Sequence, residues 1–116
     1  MHGNKSLAVA FVALLGCAST PAPTERMATA EASIRGAQEV GATGSPQAAL
    51  HLRLAQEQLA KAKGLIASGD NEAADRMLLR ARADGELALA LARANTAQVA
   101  AQQSLEQIQQ AHDRSQ

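Results

Sequence analysis

Few side chains in this chain are of types that do chemistry. It has 116 residues, with one cysteine, Cys17, and three histidines, His2, His51 and His112. No two histidines stand at the spacing that places a pair on one helix face to hold a metal, and a single cysteine adds no second thiolate, so no metal site is expected. Serines lack the G-x-S-x-G setting of a nucleophile elbow, and glycines lack a phosphate-loop pattern. Asp70, Glu72 and Asp75 are close together, but negative charge at the start of a helix caps it and meets its positive end. Arg76, Arg80 and Arg82 with Asp84 and Glu86 read as a mixed solvated face with i,i+4 pairs; a grip of Arg76 and Arg80 on an anionic glycan or phosphate is the lesser reading. His51, between Leu50 and Leu52, reads as a surface histidine. These patterns give no catalytic residue and no cofactor, and the chain is expected not to be an enzyme.

The thiol has a clearer setting. Residues 1–16 form a leading segment with a weakly positive start, at Lys5 and the amino terminus. The apolar run of nine, "LAVAFVALL", follows from Leu7 to Leu15, then Gly16. Nine residues are too few for a permanent membrane helix, which takes roughly 20. They suit an export signal. Leu14, Leu15, Gly16 and Cys17 resemble the bacterial lipobox. That resemblance implies a diacylglyceryl (palmitate-type) group on the Cys17 sulfur, cleavage before it and acylation of the new amino group. Leu15 is less usual at its place than Ala, Ser or Thr. Ala18 stands where an Asp retains enterobacterial lipoproteins at the inner membrane, so the implied address is the outer membrane, facing the periplasm. One acyl chain binds reversibly and two or three hold firmly. Residues 17–23 then read as a lipidated cysteine and a short tether stiffened by Pro21 and Pro23.

The elements downstream must be helices. Ala, Leu, Gln, Glu and Arg dominate, β-branched residues are few, and the only aromatic, Phe11, lies in the leading run. A first helix is expected over 24–40, capped by Thr24, with Met27, Ala30, Ile34 and Ala37 in one stripe. "GATGS" ends it. A second is expected over 46–67, with Ser45 as cap and Pro46 first. Its seam, Ala48, Leu52, Ala55, Leu59, Ala62 and Ile66, is widened by Leu50, Leu54 and Leu65. Gly69 and Asp70 turn the chain into a third helix over 71–111, with a tail at 113–116. Ala74, Leu78, Ala81, Gly85, Ala88 and Ala92 share one face, small enough for the second helix to come close. Short turns make neighbours antiparallel, so the expected fold is all-α: a small antiparallel three-helix bundle over 24–112. At 1.5 Å per residue the third helix, about 60 Å, outruns the second, about 33 Å. Its far part carries a coiled-coil-like stripe, Leu91, Ala94, Ala101, Leu105 and Ile108, which is the expected face for a partner or a second copy.

The stretches "SPQAALHLRLAQEQLAKA" and "LIASGDNEAADRMLLRARADGELA", after an Ala-rich first helix, resemble the bacterial envelope lipoproteins of the domain-of-unknown-function 4398 family over about residues 27–94. The resemblance implies a helical fold and an outer-membrane or periplasmic place, and no known enzymatic activity. Charge agrees with the absence of nucleic acid as partner. Past Lys5, 10 cations face 11 acids, with no basic patch and no aromatics for stacking. The function expected is a lipid-anchored, non-enzymatic structural or protein-interaction role, held to the membrane through Cys17 and meeting an envelope protein or peptidoglycan. The alternative is a periplasmic binding module for a small ligand or peptidoglycan fragment.

Overall fold

The computed structural model describes residues 19–116; the leading segment, Leu14, Leu15, Gly16 and Cys17 lie outside the described residues. In chain order the elements are α1 (Thr24–Glu39), a 3-10 turn (Ala42–Gly44), α2 (Pro46–Ala67) and α3 (Asn71–Arg114). No strand occurs among the described residues. Over the described residues the fold is all-helical and elongated. The 44 residues of α3 span about 66 Å, twice the length of the 22-residue α2.

Local chemistry sets the boundaries. Thr24 does not cap α1. Its amide bonds to the Ala22 carbonyl (2.9 Å), which draws Thr24 into the helix, and Pro23 takes the cap position, its carbonyl accepting from Met27 (3.0 Å). Ser45 holds the cap position of α2 through its carbonyl, which accepts from Ala49 (2.8 Å), with no side-chain bond. The α2–α3 turn is a Schellman closure. Gly69 has φ 83°, its amide bonds to Ile66 (3.0 Å), and the Asp70 amide bonds to Leu65 (2.9 Å). The Asp70 carboxylate then accepts from the Ala73 amide (3.1 Å) and caps α3. No breaker stands near residue 112, so α3 continues through Asp113 and Arg114, two residues into the segment expected as tail. Arg114 places positive charge at its negative end.

The buried face of each helix follows its seam. Ala30, Ile34 and Ala37 of α1, Ala48, Leu52, Ala55 and Ala62 of α2, and Ala74, Leu78, Ala81, Gly85, Ala88 and Ala92 of α3 are buried. Of the expected flanking leucines, Leu54 and Leu65 are half-buried, while Leu50 is exposed. One core layer joins Ala30, Ala62, Leu78 and Ala81, with Met27, Leu59 and Met77 against it. The other joins Ile34 and Ala37 to Leu52, Ala55, Ala88 and Ala92. The start of α1 therefore meets the end of α2 and the start of α3, and its end meets the start of α2 and the middle of α3. Among the described residues the buried hydrophobic side chains are alanines apart from Ile34, Leu52 and Leu78. Such a core brings backbones close and buries little area per residue.

At Gly85 the close neighbour of α3 is α1, not α2. A Cβ there would run into Ser33 Oγ and lie 3.0 Å from Ser33 Cβ and 3.2 Å from the Ile34 amide nitrogen. A small residue in a seam shows that something approaches; here the approaching backbone belongs to the first helix.

Candidate functional site

Three groups of side chains lie outside the apolar core. The first joins α2 to α3. His51 Nδ1 and Asp84 Oδ1 are 2.8 Å apart, and Gln58 Nε2 donates to Asp84 Oδ2 (2.7 Å). A carboxylate only accepts, so Nδ1 carries the proton in this pairing. His51 and Asp84 are about a quarter exposed (27% and 21%), and Gln58 Oε1 is buried without a partner. Reading the residues as a surface histidine and a solvated acid missed this contact. Asp84 leaves the arginine face and turns to α2, because it stands one residue before the seam glycine Gly85. His51 and Gln58 likewise stand one residue before Leu52 and Leu59. That shared offset is the sequence signal that pairs them. The cluster fixes the rotation of α2 against α3.

The second group is the charges. Arg76 pairs with Glu72 (2.6 Å) and Arg82 with Glu86 (2.7 Å), both one turn apart. Arg26 of α1 pairs with Asp75 of α3. Lys63 of α2 pairs with Glu31 of α1 (2.8 Å), and its hydrogen bond holds the Glu31 carboxyl below the usual range. An open groove of about 280 Å³ lies between α1 and α3, lined by Glu25, Arg26, Thr29, Leu78, Leu79 and Arg82. Both of its arginines are in ion pairs, which leaves little net charge to draw an anion. Among the described residues no group of three or more His, Cys, Asp or Glu is placed to hold a metal ion, and no helix is long and apolar enough to cross a membrane.

The third group is the free side of α3. Of the residues expected on a partner face, Leu91 belongs elsewhere: it is half-buried and packs against the core layer of Leu52 and Ala88. It stands next to the seam residue Ala92, so the core captures it. Ala94 and Ala101 are exposed, and Leu105 and Ile108 are 61% and 65% exposed. From Thr96 to the end every residue is exposed, because α1 and α2 end short of it. Leu79, Leu87 and Val99 are also exposed on α3 and were not anticipated.

At the other end, Asn71 Nδ2 donates to the Thr20 carbonyl (2.6 Å), which ties the tether to the first residue of α3. No curated protein and no solved structure matches the chain. The family described as Domain of unknown function (DUF4398) matches residues 25–104, a span that takes in α2 whole, α1 from its second residue and α3 as far as Ser104. With more than half its length matched, the chain belongs to that family.

Proposed function

We propose that this is a lipid-anchored protein of the bacterial envelope with a non-enzymatic, protein-interaction role. Acyl chains on Cys17 would hold it to the outer membrane, facing the periplasm, and an up-down-up three-helix bundle would carry the α3 arm outward. The reading is carried by one observation: the arm beyond Asn95 is helical yet buries none of its residues, and it carries Leu105 and Ile108 in the open. An apolar stripe kept on a regular helix is the usual face for a helical partner. The Thr20–Asn71 contact bears on the anchor, since only three steps of chain separate Cys17 from Thr20. At 3.3–3.6 Å each, that keeps the body within about 10 Å of the lipid attachment.

The test is co-purification from mildly solubilised membranes. The intact chain is expected to bring down a stoichiometric envelope protein, and Leu105→Asp with Ile108→Asp to lose it while helicity is kept. Recovery of a glycan fragment and no protein would favour the binding-module reading instead.

A further inference from the structure

α3 is apolar on two opposite sides. At roughly 100° per residue, Leu79, Ala83 and Leu87, then Ala90, then Ala94, Ala97 and Ala101 lie within about 80° of one another. They sit roughly half a turn from the buried seam of Ala74–Ala92. All seven are exposed, Leu79 at 44% and Leu87 at 42%. Their spacing is symmetric about Ala90, with Ala83 and Ala97 seven residues away on either side and Leu79 and Ala101 eleven.

We propose that this outer face pairs with a second copy of the chain, antiparallel, about a two-fold axis at Ala90. Two independent features choose that occupant and register. The first is size. Turned end for end about Ala90, Leu79 meets the partner's Ala101 and Ala83 meets the partner's Ala97, while Leu87 comes level with the partner's Arg93, one residue from the partner's Ala94, so each leucine lies beside a small residue of the stripe. Ala90 meets its own copy at the axis, where small side chains let helices approach to about 8 Å. An in-register parallel pair would stack leucine on leucine and alanine on alanine, with voids between. The second is charge. Glu86 and Arg93 stand seven residues apart on one flank of the stripe. In the antiparallel register Glu86, which already pairs with Arg82 one turn away, comes within reach of the partner's Arg93, and the reverse, so each carboxylate is shared between two arginines; the midpoint of 86 and 93 lies within a residue of Ala90. Arg93 has no ion pair among the described residues. Such pairs set register more than affinity.

The axis lies near the middle of α3, so residues 71–109 of each copy overlap and each arm lies along the packed half of the other. That overlap, about 58 Å long and about 10 Å wide, covers roughly 600 Å² per copy, at the low end for a specific interface. Leu105 and Ile108 would then lie against the methylene stems of the partner's Arg76 and the partner's Glu72.

The inference goes beyond the anchored-protein reading and does not rest on it, because Cys17→Ser removes the acylation site and leaves the seam. In the full chain carrying Cys17→Ser, held in mild detergent, Ala90→Cys should link to a disulfide dimer under mild oxidation. Ala101→Cys alone should stay monomeric, and a mixture of Leu79→Cys and Ala101→Cys chains should link. Glu86→Arg should lower the Ala90→Cys dimer yield at least about threefold with helicity unchanged, and adding Arg93→Glu should restore it. An Ala101→Cys chain that links as readily as Ala90→Cys, an Ala90→Cys chain that does not link, or a yield indifferent to Glu86→Arg would each overturn the proposal.

Discussion

Gly85 and Asp84 are neighbours in sequence and opposite in demand, since one position needs nothing beyond Cα and the other needs two partners. Gly85→Ala would gain about 1 kcal/mol of helix propensity. It would also force a methyl against Ser33 and the backbone of Ile34. Overpacking of that kind costs about 1–3 kcal/mol, and a backbone neighbour cannot swing aside, so the clash wins. Urea denaturation should show a net loss of about 1 kcal/mol, partly recovered by adding Ser33→Gly. A stabilised Gly85→Ala protein would mean that α1 does not approach there. Asp84→Ala removes the shared acceptor of His51 and Gln58. Leaving half-buried donors unpaired costs about 1–3 kcal/mol, readable in the same assay. At this scale the sequence reads unevenly. The capping role of Asp70 was legible, because capping is local. The His51–Asp84 contact was not, because it joins residues 33 apart in the chain and depends on how α2 and α3 are rotated against each other.

Among the elements, the seams of all three helices were legible from spacing alone, since a period of 3.6 residues leaves one face to bury. Neighbours were harder to assign. Gly85 marked a close approach, but the sequence assigned it to α2 rather than α1, and Leu91, placed at the start of the outer stripe, packs at the rim of the core. The turn between α2 and α3 concentrates three requirements in two residues. Gly69 holds a left-handed φ of 83°, and Asp70 closes one helix and caps the next. Asp70→Ala should cost about 1 kcal/mol in thermal or urea unfolding, the usual worth of an N-cap. The α1–α2 link through Glu31 and Lys63 adds a pH dependence. Glu31 titrates lower folded than unfolded, chiefly through the Lys63 hydrogen bond. Its contribution is therefore present above the unfolded carboxyl value, about 4.3, and fades as pH falls through the folded one. Lys63 is half-exposed, so the contribution is at most about 1 kcal/mol. The stability gap between the parent protein and Lys63→Met should be seen near neutral pH and close on acidification. A gap that widens in acid would contradict the assignment.

For the whole molecule, an alanine core with Leu78 as its largest fully buried side chain concentrates much of the packing in one residue. Leu78→Ala should cost about 2–5 kcal/mol and unfold a large share of the protein at 37 °C, seen as lost helicity. The excess length of α3 was legible, because no proline interrupts it and its one glycine lies in the seam. What its free faces meet was not, because exposure does not name a partner. The functional account hangs on the thiol ahead of the helices. Intact-mass analysis of the protein recovered from bacterial envelopes tests it most directly. The account predicts a chain that begins at Cys17 and carries a diacylglyceryl thioether and an acylated amino group. An unmodified chain that begins downstream of Cys17, recovered from the soluble periplasm, would contradict it.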